Sequence, residues 1–446
     1  MFRPTRARWG VLVLAVVLSL VAAGCGKTKK ATTGGTSQNG KKVAIGFVGA
    51  LTGDNANRGI NIRDAMRVAI DEENAKGGTQ ITLKPFDTAG DPAQASTVKD
   101  RFIGDRDVIG IVGPAFSGET KAVLPALQDA GLVMISASAT NKDLPNLVPP
   151  NGVFHRVIAD DALQAAGIAE YLSRVEKPKN VAFIHDNTEY GKGLALDVVK
   201  LSLAKGIIQA KLGTGDGIGV VDPKAQDFSA TVNAVKSAKP DAVFYGGYYA
   251  EAGRLKKQLA DAGVTAKFIS GDGSLDPGFI SAAGPAAAEG ARLTCPCNLA
   301  LSTSTGSLKA FYDSFKAKIG KEPGLYSPEG YDAAKILIMG IKAGNLDRPS
   351  LLRYVEGFGR YEGVSKTIEF DPNGNLKSKT FFVFEVKGGK ITSLQQLEVG
   401  GAAGGTTATT GTGGSVYGGS TTTSTRAGAS TGATTTTRTG ATTTTG

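Results

Sequence analysis

Val108-Ile109-Gly110-Ile111-Val112-Gly113 is a continuous apolar run, and Pro114-Ala115-Phe116-Ser117-Gly118-Glu119-Thr120 follows it directly. A short apolar run that is rich in β-branched residues predicts a strand buried on both faces of a sheet. Ser117 is a favoured residue at the start of a helix, and we predict a helix over residues 117–130. A buried strand that leads straight into a helix is the repeating unit of doubly wound α/β folds.

The same alternation of strand and helix continues on both sides of this stretch. We predict further strands at residues 43–48, 81–87, 133–136, 181–185, 242–247, 268–270 and 381–386. We predict further helices at residues 57–76, 91–106, 161–175, 307–319, 328–343 and 350–356. Strands that alternate with helices form parallel sheets covered on both faces, and two such series predict two doubly wound lobes.

The start of the chain has the features of an export signal. Arg3, Arg6 and Arg8 precede the apolar run 11–21, and Ala22-Ala23-Gly24-Cys25 follows it. This run is too short to span a bilayer, so we predict a signal peptide at residues 1–24. Small residues before a Cys resemble a bacterial lipobox, although Ala stands where Leu is usual, and we predict that Cys25 becomes lipidated. An ordinary signal peptide with an incidental Cys is the alternative.

Composition separates a folded body from two polar ends. Residues 25–42 are predicted to be a flexible tether, and the Gly- and Thr-rich residues 400–446 a disordered tail, either bare or O-glycosylated. Ten of the 50 Lys and Arg lie in the signal, tether and tail, so the body sets 40 basic side chains against 40 acidic ones. The formal net charge of +10 therefore gives no reason to expect a nucleic-acid partner. The basic tether suits anionic lipid headgroups.

Cysteine and histidine are too few for a metal site to be argued. The body has only Cys295 and Cys297, separated by one residue, together with His155 and His185. A disulfide between the two Cys is possible in an oxidising compartment, and two reduced thiols are the alternative. We predict no metal and no cofactor.

Polar residues follow several predicted strands, at the sheet edge where α/β folds bind ligands. Ser117 opens a helix whose first N–H groups suit an anion, although it can equally be a simple helix cap. Residues 136–141 form a second polar cluster, or an ordinary loop. Residues 185–191, 245–249 and 271–273 follow strands of the second series.

Several of these stretches resemble the periplasmic branched-chain amino-acid binding proteins of ABC transporters, which have the type I solute-binding fold. The stretches are 71–78, 134–136 with 139–141, 185–186 with 190–191, and 244–248. The resemblance covers residues 43–397. It implies two Rossmann-like lobes joined by crossover hinge strands. Residues 43–158 and 295–374 then form the N-terminal lobe, and residues 159–294 and 375–399 the C-terminal lobe.

The resemblance also implies a ligand site for an amino acid. Ser117 corresponds to the hydroxyl and helix N-terminus that hold the ligand carboxylate. Ser138 and Thr140 correspond to residues that hold both the carboxylate and the ammonium. Tyr190 and Tyr248 correspond to aromatic residues of the second lobe that close over the ligand. Taken singly, each Tyr is equally compatible with core packing.

Three further residues complete the implied site. Asp272 corresponds to the acidic residue that pairs with the ligand ammonium, and without the resemblance it reads as a solvated turn. Asp is shorter here than the Glu of well-known members. Phe116 is expected to form a wall of the side-chain pocket. Arg58 stands near a pocket position that is aromatic in leucine binders, so we hypothesise that it tunes specificity towards polar or acidic side chains. A surface charge at the start of a helix is the alternative.

These features predict a lipid-anchored, extracytoplasmic receptor that captures an amino acid or a related amide. We expect a monomer that delivers its ligand to an ABC permease, without covalent chemistry. One alternative is a sensory lipoprotein of the same fold. The other is an exported hydrolase, which is disfavoured because no G-x-S-x-G nucleophile elbow occurs in the predicted folded body, residues 43–399.

Overall fold

A computed structural model describes residues 42–213, 215–297 and 299–399 of the chain. Its first sheet contains five parallel strands: β1 (Val43–Gly49), β2 (Ile81–Asp87), β3 (Val108–Val112), β4 (Val133–Ser136) and β5 (Phe154–Arg156). Their order across the sheet is β2-β1-β3-β4-β5. The connecting helices are α1 (Ala56–Asn74), α2 (Pro92–Gly104) and α3 (Ser117–Asp129). Every residue of β1 and β3 is buried, as expected for strands covered on both faces.

A second sheet continues the same pattern. Its parallel strands are β6 (Asn180–His185), β7 (Ile208–Gln209), β8 (Gly219–Val220), β9 (Ala242–Gly246), β10 (Lys267–Ser270) and β11 (Arg292–Cys295). The helices of this part are α4 (Asp161–Tyr171), α5 (Glu189–Ala204), α6 (Ser229–Ala238), α7 (Tyr249–Asp261), α8 (Pro277–Ala283) and α9 (Pro285–Ala288). The two sheets confirm the predicted α/β class.

After β11 the chain returns to the first sheet. Three helices follow: α10 (Gly306–Ile319), α11 (Ser327–Lys342) and α12 (Arg348–Glu356). Helices α11 and α12 pack on β3, where Leu337 and Leu351 lie against Gly110. We call the first sheet with α1–α3 and α10–α12 the first lobe, and the second sheet with α4–α9 the second lobe.

The chain ends in a hairpin on the second sheet. A short pair, β12 (Tyr361–Glu362) and β13 (Thr367–Ile368), comes first. Strands β14 (Thr380–Lys387) and β15 (Lys390–Glu398) then follow. Strand β14 pairs antiparallel with β11, and β15 pairs antiparallel with β14, so the sheet order is β15-β14-β11-β10-β9-β6-β7, with β8 also on β6.

The structure differs from the sequence-based prediction at a few elements. Strand β15 was not predicted, because only Gln395 and Leu397 of its residues are buried and its apolar signal is therefore weak. The predicted helix over 161–175 ends as an α-helix at Tyr171, and a π-helical turn continues it to Glu176. The sequence left open whether Cys295 and Cys297 are reduced or bridged. In the structure they form a disulfide with a Cα–Cα distance of 5.1 Å.

A close approach between two glycines fixes the start of α5 against the end of β9. An added Cβ at Gly191 would clash with the backbone oxygen of Gly246 and with the carboxylate of Asp186. No larger residue fits at Gly191 unless α5 moves away from the sheet. The contact therefore sets the position of the neighbouring Tyr190, whose side chain is almost completely buried.

We predict that Gly191→Ala lowers the free energy of unfolding by about 1–3 kcal/mol, because the extra methyl group overpacks this contact. Gly104→Ala is the matched control, since a Cβ at the end of α2 meets no atom within 4 Å. The control is expected to change stability by less than about 1 kcal/mol. Urea denaturation of both variants checks this. Equal unfolding free energies for Gly191→Ala and the unmodified protein would contradict it.

Candidate functional site

The helix after β3 has a buried glutamate in its first turn, and the side chain of this glutamate holds that turn in place. The side chain of Glu119 accepts a hydrogen bond from the backbone N–H of Phe116 at 3.1 Å and another from the Thr88 hydroxyl. Burial raises the pKa of Glu119 from its ordinary value of 4.5 to about 7, although both hydrogen bonds oppose the shift. The start of α3, with Phe116 and Ser117, is thereby fixed in place.

The second lobe repeats this arrangement after β9. Glu251 accepts a hydrogen bond from the backbone N–H of Tyr248 at 2.9 Å, and the side chain of Glu251 is 1% exposed. Burial, followed by the charge of Asp186, raises the pKa of Glu251. The first turn of α7, which carries Tyr248 at its start, is therefore held by the same device as the first turn of α3.

Asp272 is the most strongly coordinated carboxylate of the site. It follows β10, and it is 0% exposed. Its Oδ1 accepts hydrogen bonds from Gln164 Nε2 and from the Tyr190 hydroxyl, both at 2.7 Å. Its Oδ2 accepts a hydrogen bond from the Tyr326 hydroxyl. Gln164 and Tyr190 belong to the second lobe and Tyr326 to the first, so this carboxylate joins the two lobes.

Arg58 lies beside Asp272 and inside an aromatic enclosure. The Arg58 side chain is 3% exposed, and its Nη1 is 3.8 Å from Asp272 Oδ2. The guanidinium carbon lies 4.9, 5.1 and 5.4 Å from the ring centres of Tyr326, Tyr248 and Phe116. Burial alone would lower the pKa of Arg58, but Tyr326 and Asp272 outweigh it and raise that pKa, so the side chain is a cation.

The three predicted hydroxyl residues lie at the edge of the first sheet, and the side chains of two of them, Ser117 and Ser138, hydrogen-bond within the first lobe. Ser117 Oγ accepts a hydrogen bond from the backbone N–H of Asn141 at 3.2 Å, and the Ser138 hydroxyl donates to the Ala115 oxygen at 2.6 Å. Thr140 is fully buried. These contacts tie the start of α3 to the loop that follows β4.

The structure therefore sorts the predicted residues into two adjoining groups. One cluster consists of Arg58, Phe116, Tyr190, Tyr248 and Asp272. Within it the ring centres of Phe116 and Tyr248 are 5.0 Å apart, and those of Tyr190 and Tyr248 are 5.2 Å apart. Ser117, Ser138 and Thr140 border this cluster through Phe116, the neighbour of Ser117. Their roles towards a ligand stay predictions.

Two groups that coordinate Asp272 were missed at the sequence level. Gln164 lies in the second turn of α4, where it reads as an ordinary polar helix residue, and it also donates to Asp161 at 3.0 Å. Tyr326 stands just before α11 with a φ of 63°, in the left-handed region. Only the return of the chain to the first lobe brings Tyr326 to the cluster.

Contacts between the lobes surround the cluster. Asn57 Nδ2 donates to Asp276 Oδ1 at 3.0 Å, and Asn141 Nδ2 donates to the backbone oxygen of Glu189 at 2.7 Å. Lys121 forms an ion pair with Glu189 at 2.7 Å. The cluster is thus enclosed between the two lobes rather than open to solvent.

Comparisons with known proteins agree with this architecture. The sequence model of the family described as "Periplasmic binding protein" matches residues 42–390. The chain is 33% identical over 371 residues to Leu/Ile/Val-binding protein homolog 3 of Brucella melitensis, covering 82% of this chain and 97% of that protein. It is 30% identical over 347 residues to the leucine-, isoleucine-, valine-, threonine- and alanine-binding protein of Pseudomonas aeruginosa, covering 77% and 89% respectively.

Solved structures give the same result. The leucine binding protein LivK of Thermotoga maritima superposes with a TM-score of 0.72 at 26% identity, covering 80% of this chain and 99% of that one. The substrate binding protein LivJ of Streptococcus pneumoniae, in complex with isoleucine, gives a TM-score of 0.70 at 26% identity, with coverages of 79% and 98%.

We predict that Glu119→Gln removes part of the pH dependence of stability. A carboxyl whose pKa rises from 4.5 in the unfolded chain to about 7 in the fold contributes stability that is complete below pH 4.5. This contribution is lost as the pH rises through about 7. The unmodified protein should therefore lose about 1–3 kcal/mol between pH 5 and 8 that the variant keeps.

Urea denaturation at a series of pH values measures this difference. Glu398→Gln, at an exposed position of β15, is the control and should follow the unmodified protein. Parallel pH profiles for Glu119→Gln and the unmodified protein would show that Glu119 does not titrate in this range.

Proposed function

The chain belongs to the family of periplasmic binding proteins, and we propose that it captures an amino acid or a related amide between its two lobes. The observation that carries the proposal is the enclosed cluster around Asp272, which combines a buried carboxylate, aromatic walls from both lobes and the start of α3. The names of the relatives, several of which bind leucine, isoleucine and valine, support the same ligand class.

The carboxylate of the ligand is assigned to the start of α3. The first N–H groups of a helix point at an anion and carry its positive dipole, so they favour a carboxylate. The Ser117 hydroxyl adds a donor there, and Ser138 and Thr140 extend the polar edge. Phe116, which precedes the helix, is a wall of the same pocket and touches Tyr248 of the second lobe.

The ammonium of the ligand is assigned to Asp272. Three hydrogen-bond donors of the chain occupy this carboxylate, two on Oδ1 and one on Oδ2. A carboxylate can accept about four hydrogen bonds, so Oδ2 keeps one free acceptor position. An ammonium at that position would pair with a charge that is already buried, and Tyr190 and Tyr248 would lie over the ligand. Both charges of the ligand then have partners, as burial requires.

The role of the ligand is to hold the lobes together. Because the assigned partners come from both lobes, a bound amino acid stabilises the closed arrangement by contacts that an open form lacks. We propose that the closed form docks on an ABC permease as a monomer and that no chemical step or cofactor takes part. A sensory receptor of the same fold is the alternative, and uptake assays in a deletion strain separate the two.

The proposed location is extracytoplasmic, with a lipid anchor at Cys25. The family is one of periplasmic proteins, which supports the location. Cys25, the signal, most of the tether and the tail lie outside the described residues, so the anchor rests on the sequence alone. Among the residues that the structure describes, none of the helices is both long and apolar enough to cross a membrane. Mass spectrometry of the mature N-terminus tests the anchor.

We predict that amino acids raise the melting temperature of the full chain and that two substitutions reduce this effect. A ligand at a hundred times its Kd adds about 2.7 kcal/mol of stability. Ser117→Ala removes one hydrogen-bond donor to the ligand carboxylate. Asp272→Asn removes the charge that pairs with the ligand ammonium, and it is expected to cost about 2–5 kcal/mol of binding, or a 30-fold or greater loss of affinity.

Thermal-shift titration against amino acids, amides and dicarboxylates measures these effects. The exposed substitutions Ser281→Ala and Asp261→Asn are matched controls and should leave the affinity unchanged. Unchanged binding in Asp272→Asn would refute the assigned ammonium site, and the absence of a shift with every amino acid would refute the ligand class.

A further inference from the structure

The proposed function leaves one buried charge of the cluster without a task. In that proposal the start of α3 binds the carboxylate of the ligand, and Asp272 pairs with its ammonium. Arg58 is a third charged group in the same enclosure, and its side chain is 3% exposed. Its chemistry determines what else the ligand must carry.

The hydrogen bonding of Arg58 is sparse for a buried guanidinium. Nη2 donates to the backbone oxygen of Asp272 at 3.5 Å, which is at the outer limit for a hydrogen bond, and Nη1 is 3.8 Å from Asp272 Oδ2. Nε is buried and has no hydrogen-bond partner among the described residues. A guanidinium presents a planar fork of N–H donors, and leaving them unpaired in a dry site is unfavourable.

Neighbouring groups cannot supply the missing acceptor. The rings of Phe116, Tyr248 and Tyr326 attract the cation through their faces, but a ring face does not fill the in-plane donor positions of the fork. The carboxylate of Asp272 accepts hydrogen bonds from Gln164, Tyr190 and Tyr326, and its remaining acceptor position on Oδ2 is the one assigned to the ligand ammonium. The donors of Arg58 therefore suit an anion that enters the cluster from outside the chain.

We infer that the ligand carries a second carboxylate, on its side chain, and that the guanidinium of Arg58 binds it, so that the preferred ligands are acidic α-amino acids. This inference rests on the proposed function. Each charge then meets an opposite partner: the α-carboxylate at the start of α3, the ammonium at Asp272 and the side-chain carboxylate at Arg58. A planar guanidinium also matches a carboxylate with two parallel hydrogen bonds.

An aliphatic ligand would fit this enclosure poorly. Leucine, isoleucine or valine supplies an α-carboxylate for the start of α3 and an ammonium for Asp272. Its hydrocarbon side chain would lie beside Arg58, and the N–H donors of Arg58 would stay unpaired. The chain would then differ in specificity from the relatives whose names specify leucine, isoleucine and valine. Arg58 is thus assigned as a specificity-determining residue.

Isothermal titration of the full chain with matched ligand pairs tests the inference. L-glutamate is compared with L-glutamine, and L-aspartate with L-asparagine, because each pair has the same shape and differs in the side-chain charge. L-leucine is the aliphatic probe. We expect the unmodified protein to bind one of the acids at least tenfold more tightly than its amide and more tightly than leucine, which is about 1.4 kcal/mol or more.

Substitution of Arg58 should abolish that preference. Arg58→Met keeps an unbranched apolar stem and removes the guanidinium, so the ratio of acid to amide affinity should fall to about one while leucine binding improves. Arg58→Lys keeps the charge but not the fork, and we expect an intermediate ratio. Arg67→Met, at an exposed position of the same helix, is the control and should preserve the ratio of the unmodified protein.

The outcomes separate this inference from the proposed function. Binding of leucine or an amide as tightly as the acids, or an acid-to-amide ratio that Arg58→Met leaves unchanged, overturns the inference alone. Failure of every amino acid to bind overturns the proposed function and the inference with it. Arg58-dependent binding of glutarate or succinate as tight as that of the acidic amino acids supports the anion site at Arg58 but contradicts the ammonium site at Asp272.

Discussion

The arrangement of the cluster depends on a single buried charge, the carboxylate of Asp272. A carboxylate that is 0% exposed needs hydrogen-bond donors in place of water, and here the donors come from α4, the start of α5 and the residue before α11. The three donors lie 108, 82 and 54 residues from Asp272 in the chain, and they belong to both lobes. The coordination of Asp272 is therefore complete only where the two lobes meet.

Two buried glutamates hold the walls of the site in place. Helices α3 and α7 each begin with a buried glutamate that holds the first turn, Glu119 in one lobe and Glu251 in the other. The residues before these helices, Phe116 and Tyr248, meet face to edge across the cluster at 5.0 Å. In the proposed function a ligand meets these two walls, and the charges between them set its specificity.

The sequence was sufficient to predict the fold class and most of the cluster. Apolar runs such as 108–113 predicted the buried strands, and the resemblance directed attention to Tyr190, Tyr248 and Asp272, which the structure brings together. Gln164 and Tyr326 could not be predicted, because nothing in a helix interior or in the turn before α11 indicates that a distant carboxylate needs a donor. The burial of Arg58 was left open for the same reason: its enclosure is formed by rings from three separate segments.

The central claim is that three charged positions around Asp272 each pair with one charged group of the ligand. A crystal structure of the protein grown with L-glutamate tests it most directly. The account predicts an ammonium within hydrogen-bond distance of Asp272 Oδ2, an α-carboxylate at Ser117 and a side-chain carboxylate on the guanidinium of Arg58. A ligand that makes no contact with Asp272, or an Arg58 side chain turned away from the ligand into solvent, would contradict it.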